Sequence, residues 1–365
     1  MRVRGARKTD LYSPSRALLL STSPALSPQA MRVKIGIVGL GNQGILHVEA
    51  LKSIQGAELV AVADINAEKA KSIADEYKIP RYYTNVKELC EDPEVEAVIV
   101  ATPDHLHLEP VLEALKAGKH VFVEKPMATK SNDAELMCAE SRRRDLILMV
   151  NFENRFNPPF MYIKELLERG EIGSPLYAYI RLSDTIYVPK RMLSWASQTN
   201  VAYFLMSHTA DLACWYFRRK VCEVYAVSVC KVLSDLNTPD AVGALLKFDE
   251  EGFALLESGW VLPESSPSIF DFKLELVGSE GTVHINAESE GLTVTSKDKL
   301  AYPHVAKFYK LRGTVTGFLR KADEHFIECV SGRAAPLIKA EEGIENTRII
   351  EAVIKSSLKG GTVKL

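Results

Sequence analysis

The feature that most constrains this chain is a glycine-rich turn between an apolar strand and a helix. Residues 35–38 predict a buried strand, and the residues that follow have the pattern G-x-G-x-x-G before an apolar helical segment. Gly39 permits a tight turn, Gly41 lets a pyrophosphate approach the backbone, and Gly44 lets the helix pack closely on the strand. The helix N-terminus presents free N–H groups to phosphates. The residues predicted to contact such a dinucleotide are Gly39, Gly41, Asn42, Gln43 and Gly44.

The segment after this turn favours NAD as the dinucleotide. A second apolar strand, residues 58–63, ends at Asp64, about twenty residues past the last glycine, where a carboxylate can accept hydrogen bonds from both adenine-ribose hydroxyls. Residues 65–67 contain no serine or arginine that could hold a 2′-phosphate, which Asp64 would repel. The sequence therefore predicts NAD rather than NADP.

Composition excludes several classes of protein. The chain has 365 residues, enough for two domains, and its net charge of −2 does not favour nucleic-acid or membrane binding. No apolar run approaches the ~20 residues that span a bilayer. The six cysteines form no C-x-x-C pair and predict reduced thiols in a cytoplasmic protein. The histidine spacings predict no metal site.

The first thirty residues differ from the rest of the chain. Residues 1–30 are rich in arginine, serine and proline and contain a single acid, Asp10. We expect a disordered or non-native extension before Met31, and a targeting segment is the alternative.

Two different sequence patterns follow this extension, and they predict two domains. Residues 31–150 alternate apolar strands with helices, which predicts a doubly wound parallel sheet, the Rossmann fold, that binds NAD. Residues 151–365 contain many strands of alternating polarity, which predicts an α+β domain with a large, open, mostly antiparallel sheet. Residues 183–199 are predicted as a loop that covers the pocket, with Asp184 among its polar groups.

Polar residues follow two strands of the predicted parallel sheet. Thr102 and Pro103 end one apolar strand, and Glu124-Lys125-Pro126 ends the next. Both strand ends lie at the carboxyl edge, where doubly wound folds bind ligands. Lys125 can polarise a substrate hydroxyl there, and it needs a lowered pKa to act as the base.

These motifs together resemble one family. The chain is similar to the glucose-fructose oxidoreductase / inositol dehydrogenase / MocA (Gfo/Idh/MocA) family over nearly everything from Met31 to Leu365. The motifs that carry the resemblance are the glycine turn, Thr102-Pro103, His107, Gly118-Lys119-His120-Val121, Glu124-Lys125-Pro126, Asn154-Arg155-Phe156-Asn157-Pro158, Gly170-x-Ile172-Gly173-x-Pro175 and Phe326-Ile327-x-Cys329.

The resemblance implies roles for the strand-end residues. Lys125 corresponds to the usual catalytic lysine of the family. Glu124, Thr102 and Pro103 would line the path of the nicotinamide and its ribose, and His107 would sit at the cofactor edge. The family also implies an antiparallel sheet used for oligomerisation, so we expect a homodimer or homotetramer formed through the C-terminal sheet.

The second catalytic element of the family is altered in this chain. The family helix has the pattern Asp-x-x-x-His-x-x-Asp, of which His208 and Asp211 match, whereas Phe204 replaces the first acid. The resemblance assigns His208 to catalysis and Asp211 to substrate binding or to the orientation of His208. Without the first acid, His208 is expected to be a weaker base, or Asp211 takes part of that role. The alternative is a structural histidine packed on Trp215.

Two further residues are predicted to contact substrate. Asn154 could contact nicotinamide or substrate, and the guanidinium of Arg155 could pair with a substrate carboxylate. A salt bridge at the domain interface is the alternative for Arg155.

The resulting hypothesis is an NAD-dependent oxidoreductase that acts on a CH–OH group of a sugar, sugar derivative or cyclic polyol by hydride transfer. One alternative is an NAD-retaining glycosidase or epimerase that oxidises its substrate transiently. The other is a non-catalytic NAD-binding protein. No nucleic acid, membrane or metal is expected as a partner.

Overall fold

The computed structural model describes residues 32–365. The extension predicted for residues 1–30 lies outside the described residues. Within the described residues, no helix combines the length and apolarity that a membrane span requires.

The first part of the chain forms a six-stranded parallel sheet in the order β3-β2-β1-β4-β5-β6. The strands are β1 (Val33–Val38), β2 (Ala57–Ala63), β3 (Arg81–Tyr83), β4 (Ala97–Val100), β5 (His120–Glu124) and β6 (Leu148–Asn151). The chain reverses direction across the sheet between β1 and β4, which opens a ligand crevice at their carboxyl ends. The predicted Rossmann fold is confirmed.

Five helices connect these strands. They are α1 (Asn42–Leu51), α2 (Ala67–Tyr77), α3 (Val86–Glu91), α4 (Leu108–Lys116) and α5 (Ser131–Arg144). The side chains of Asn66 and Asn85 accept hydrogen bonds from the first turns of α2 and α3, which satisfies backbone donors that a helix start leaves free.

The second sheet has seven strands in the order β12-β11-β7-β10-β9-β8-β17. Its strands are β7 (Pro175–Thr185), β8 (Val221–Val229), β9 (Ala241–Phe248), β10 (Phe253–Leu262), β11 (Phe270–Gly278), β12 (Thr282–Asn286) and β17 (Val363–Lys364). The β7–β10 pair is parallel and the other pairs are antiparallel, so the predicted, mostly antiparallel sheet is confirmed. Two small ribbons precede the last helices: β13 (Val294–Thr295) with β14 (Leu300–Ala301), and β15 (Tyr309–Leu311) with β16 (Thr314–Thr316).

Helices pack on one face of this second sheet. They include α7 (Ser207–Phe217), which follows a π-helical turn at Ala202–Met206, and α9 (Ala340–Lys359). The other helices of this part of the chain are α6 (Pro158–Glu168) and α8 (Phe318–Val330). The alternation of buried and exposed residues along β8 and β9 leaves the opposite face of the sheet open.

The chain returns to the first core near its end. Phe318, Phe326 and Ile327 of α8 belong to the same buried cluster as the strands of the parallel sheet. The division at residue 150 therefore stays a prediction, because α8 packs with residues that precede that boundary.

The predicted pocket-covering loop begins later than expected. Strand β7 continues through Thr185, and Asp184 is a buried strand residue rather than a loop residue. The run Ser183-Asp184-Thr185 lacks the apolar alternation that marks the rest of the strand, which explains the error. Only short helical turns follow, at Val188–Met192 and Ala196–Gln198.

Candidate active site

The glycine turn is built to bring a ligand against the backbone. Gly39 has φ +90°, and a Cβ atom there would lie 2.7 Å from the carbonyl oxygen of Ala101. A Cβ on Gly44 would lie 1.9 Å from the carbonyl oxygen of Gly39, so the helix can approach this closely only without a side chain. A Cβ on Gly41 would meet no atom of residues 32–365 within 4 Å. The turn therefore faces open space at the position where a pyrophosphate would need it.

Asp64 is held at the mouth of this turn. Its Oδ2 accepts a hydrogen bond from the backbone N–H of Leu40 at 2.9 Å, and its Oδ1 accepts one from Asn66 at 2.9 Å. The carboxylate is therefore fixed beside the turn, where it can receive the ribose hydroxyls of a dinucleotide.

Glu124 lies at the centre of a buried polar network. It accepts hydrogen bonds from Gln43 at 3.1 Å and from Asn151 at 2.7 Å, and the His47 ring contacts it at 3.0 Å. Burial alone would raise the pKa of Glu124, but the bond to His47 and its charge hold the pKa below its usual range. The opposite ring nitrogen of His47 lies 2.8 Å from Asp323 of α8. An imidazolium between two carboxylates thus fixes the residue that precedes Lys125.

His107 connects the two strand-end motifs. Its Nδ1 lies 2.9 Å from the carbonyl oxygen of Pro126, and its Nε2 lies 3.0 Å from that of Thr102. The ring is almost fully buried, and burial lowers its pKa. His107 therefore braces the cofactor edge, and a direct contact to the cofactor would require one of these contacts to break.

Lys125 reaches from the end of β5 to the π-helical turn. Its ammonium donates a hydrogen bond of 2.8 Å to the carbonyl oxygen of Phe204 and lies 4.2 Å from the centre of that ring. Burial lowers the pKa of Lys125, and the charges of Glu124 and Glu153 oppose this shift. Phe204, which stands where the family has an acid, thus offers the lysine a carbonyl and an aromatic face but no carboxylate.

His208 is buried beside this lysine. Its Nδ1 lies 3.1 Å from the side-chain amide of Asn154. Burial, followed by the positive charges of Lys125 and Lys307, lowers the pKa of His208 well below its usual value. The imidazole is therefore neutral near pH 7, and Asn154 orients it.

The structure pairs Arg155 with Asp211, as the salt-bridge alternative for Arg155 predicts. The guanidinium of Arg155 donates two hydrogen bonds to the Asp211 carboxylate, at 3.0 and 2.7 Å, and lies 2.8 Å from Glu342 of α9. Both partners of the pair are almost fully buried. Burial raises the pKa of Asp211 to about 6 despite Arg155. The two residues hold α7 and α9 against the segment after β6, because their polar atoms are committed to each other.

Several buried polar atoms around Lys125 lack a protein partner. Within residues 32–365, the buried side-chain atoms without a hydrogen-bond partner include Thr102 Oγ1, Asp104 Oδ1, Asn151 Oδ1, Glu153 Oε2 and Trp260 Nε1. Buried polar groups are normally paired, so a cluster of unpaired ones is expected where a polar ligand binds. Together with the open space at Gly41, these atoms fit a bound dinucleotide and a hydroxylated substrate.

Comparison with known proteins identifies the family. A family model described as "Oxidoreductase family, NAD-binding Rossmann fold" matches residues 33–152, and the "GFO/IDH/MocA C-terminal domain" matches residues 160–284. The chain belongs to the Gfo/Idh/MocA family.

Individual relatives agree with this membership. A myo-inositol 2-dehydrogenase of Thermotoga maritima is 27% identical over 337 residues, which covers 91% of this chain and 98% of the relative. An inositol 2-dehydrogenase of Acidothermus cellulolyticus is 32% identical over 264 residues, which covers 70% of this chain and 73% of the relative. The solved structure of a scyllo-inositol dehydrogenase from Lactobacillus casei with bound NAD(H) and scyllo-inositol matches this chain with a TM-score of 0.79 and 22% identity. The match covers 91% of this chain and 99% of that chain. That last likeness shows the fold.

Family membership settles the reaction class. This Gfo/Idh/MocA protein is an NAD-dependent oxidoreductase that acts on CH–OH groups, and NAD is its cofactor, as the sequence predicted. The named relatives are dehydrogenases and lend no support to a transient-redox glycosidase or epimerase.

Replacing Asp64 tests the cofactor preference. We expect Asp64→Ala to lower kcat/KM with NAD about 10- to 100-fold, because two hydrogen bonds to a charged group are lost. The kcat/KM with NADP should change little or rise, because Asp64 would repel the 2′-phosphate. Initial rates with both cofactors measure this, and Asp75→Ala, which removes an exposed carboxylate from α2, is the control. Equal efficiency of the unmodified enzyme with NAD and NADP would contradict the role of Asp64.

Sequence reasoning missed Lys307, whereas it named Asp184 but placed it in a covering loop. Asp184 lies at the end of β7, where the charge of Lys125 acts on it, and Lys307 reaches the same pocket from the loop before β15. The Lys307 ammonium lies 2.6 Å from the carboxylate of Glu153. The acid at the end of an alternating strand was a usable signal for Asp184. Nothing in the local sequence marks Lys307, because its position depends on the fold of a long loop.

Proposed function

We propose that this Gfo/Idh/MocA enzyme oxidises a ring hydroxyl of a cyclic polyol of the inositol class. The observation that carries the proposal is the place of Lys125 at the carboxyl edge of the Rossmann sheet, held by the Phe204 carbonyl, with His208 buried and oriented by Asn154 nearby. The relatives named above are inositol dehydrogenases. A pocket wall with both carboxylates and ammonium groups supports a substrate rich in hydroxyls, which donate and accept hydrogen bonds.

Lys125 and His208 have different roles at the reacting hydroxyl. Bound NAD supplies the hydride acceptor. The Asn154 amide is placed to donate to Nδ1 of His208, so a neutral ring carries its proton on Nε2 and can donate to the substrate oxygen. Lys125, whose pKa burial lowers, then serves as the base that accepts the hydroxyl proton.

A substrate screen tests the proposed function. Purified enzyme is incubated with NAD and each of the inositol isomers, aldoses, alditols and sugar acids, and NADH absorbance is followed. We expect the highest kcat/KM with an inositol. Failure of every cyclic polyol, together with turnover of another class of alcohol, would contradict the proposal.

We also propose that a second copy of the chain covers the open face of the seven-stranded sheet. The outward side chains on this face include partly exposed apolar residues: Tyr177, Tyr225, Val227, Val229, Leu245, Phe253 and Leu255. Charged residues of both signs lie among them: Arg181, Lys247, Lys273, Glu223, Glu257 and Glu275. A mixed, nearly neutral apolar face can pair with its own copy in a two-fold arrangement without charge repulsion.

A charge placed in this face tests the oligomer. We expect Leu255→Lys to shift the protein from a dimer or tetramer to a monomer, because the ammonium would be buried at the interface. Sedimentation velocity measures the mass. Leu358→Lys, on the exposed side of α9, should keep the oligomer of the unmodified enzyme. A monomeric unmodified enzyme would contradict the proposal.

We propose two further properties that the sequence predicted. A cytoplasmic location is supported by six cysteines that are all unpaired, three of them buried. A division near residue 150 into an NAD-binding domain (31–150) and a substrate and oligomerisation domain (151–365) is supported by the two separate sheets.

A further inference from the structure

A local irregularity places Asp184 in the pocket. Strands β7 and β10 pair regularly as far as Ser183 with Gly259, and pairing resumes at Thr185 with Leu262. Asp184 therefore lies opposite a bulge that contains Trp260. Bulges redirect side chains and are common beside active sites. This one brings an acid and an indole together at the end of the sheet that faces Lys125.

The indole of Trp260 is fully buried, yet its N–H is unpaired. Its ring lies 5.5 Å from that of Phe204, which in turn contacts Lys125. Among residues 32–365, no acceptor atom forms a well-aligned hydrogen bond with the Nε1–H of Trp260. The indole nevertheless points towards Asp184 closely enough for a weak hydrogen bond to lower the pKa of that acid. A buried donor normally has a well-aligned partner, and this N–H can donate to a ligand atom that lies beside Asp184.

Within residues 32–365, Asp184 is a buried acid that forms no salt bridge. Burial raises its pKa to about 7, against the opposing effects of Lys125, Trp260 and Lys307. Lys125 is bonded to the Phe204 carbonyl, and Lys307 is paired with Glu153. A purely structural acid in a core is expected to be satisfied by hydrogen bonds, whereas this one faces the pocket.

The three groups match what one hydroxyl group requires. Asp184 accepts a hydrogen bond, and the indole N–H of Trp260 donates one. The Lys307 ammonium can donate another while it stays neutralised by Glu153. A hydroxyl placed among them would satisfy the indole and the acid at once. A carboxylate placed there would meet the acid of Asp184 without a free cation to pair with, because Lys307 is already neutralised by Glu153.

We propose that Asp184, Trp260 and Lys307 bind a substrate hydroxyl on a carbon other than the one oxidised, and that Asp184 makes the site select neutral polyols over sugar acids. This inference rests on the proposed oxidation of a cyclic polyol and deepens it. Asp184 acts here as a binding and specificity-determining residue. Lys125 and His208 contact the hydroxyl that is oxidised.

The test compares Asp184→Asn with the unmodified enzyme, with myo-inositol and glucuronate as substrates and NAD at saturation. We expect KM for inositol to rise about 10- to 100-fold, the effect of losing a hydrogen bond to a charged group. We expect kcat to fall less, and the preference for inositol over glucuronate to shrink. Trp260→Phe, which removes only the indole N–H, should raise KM for inositol without changing the preference against the acid.

Asp271→Asn is the matched control. Asp271 is a buried acid on β11, paired with Arg181, and its side chain lies on the opposite face of the sheet from Asp184. The Asp271→Asn variant should leave unchanged both KM for inositol and the preference for inositol over glucuronate. Unchanged KM and preference in Asp184→Asn would overturn the inference, and thermal unfolding of each variant verifies that it is folded.

A binding measurement separates this inference from the proposed function. Calorimetry of myo-inositol with the NADH-loaded enzyme reports affinity without turnover. If the unmodified enzyme binds inositol but does not oxidise it, the proposed function fails, and weaker binding by Asp184→Asn still supports the inference. If Asp184→Asn binds inositol as tightly as the unmodified enzyme, the inference fails while the proposed function stands. If the unmodified enzyme binds no inositol, both fail.

Discussion

Replacing Lys125 with methionine is expected to abolish polyol oxidation while leaving NAD affinity nearly unchanged. The lysine lies at the end of β5, with its amine 2.8 Å from the Phe204 carbonyl and next to His208, so it faces the reacting group rather than the phosphates. Loss of a positioned base typically lowers the rate by about 10²- to 10⁴-fold. Steady-state rates measure kcat, and NADH fluorescence titration measures cofactor binding.

Lys125→Arg separates charge from proton transfer. Arginine keeps the positive charge but does not lose its proton in proteins, so it should be nearly as inactive as methionine. In the unmodified enzyme, kcat/KM should rise with pH and level off above the pKa of Lys125, which burial places below 10.5. A Lys125→Arg variant with substantial activity would show that the lysine acts only through its charge.

The cofactor half of the site could be predicted because its determinants are local. Gly39, Gly41 and Gly44 lie in one turn, and Asp64 and Lys125 each follow an apolar strand. The carboxyl ends of parallel strands meet at one edge, so a correct list of strands brings these residues together without further information. The structure places them there.

The substrate half depends on contacts between distant segments, which a single sequence does not reveal. His47 and Asp323 are 276 positions apart and meet only because α8 packs on α1. Lys307 reaches Glu153 from a loop whose course no periodicity indicates.

Arg155 had two interpretations at the level of the sequence. A guanidinium after a strand end suits either a substrate carboxylate or an internal acid, and the choice depends on burial. In the structure Arg155 is almost fully buried and pairs with two internal acids, Asp211 and Glu342. The alternative of a salt bridge agrees with this geometry, and the identity of its acid depends on where α7 packs.

The buried group of Glu124, His47 and Asp323 should give the enzyme a characteristic stability profile. Burial opposes the charge on His47, but Asp323 and Glu124 raise its pKa to about 10 from 6.5. A group with a raised pKa in the folded state contributes its full stabilisation below the unfolded pKa and loses it as the pH rises through the folded one. The free energy of unfolding should therefore fall between pH 6.5 and pH 10 as His47 loses its proton.

His47→Gln is accordingly expected to destabilise the protein by about 3–5 kcal/mol at pH 7, because Glu124 and Asp323 would remain buried without their shared cation. Urea unfolding at pH 7 and at pH 10 measures the effect, which should be much smaller at the higher pH. Exposed His284 provides the control, since His284→Gln should leave both values unchanged. A destabilisation that is equal at the two pH values would show that the loss is one of packing, and that the imidazole is not charged between its two acids.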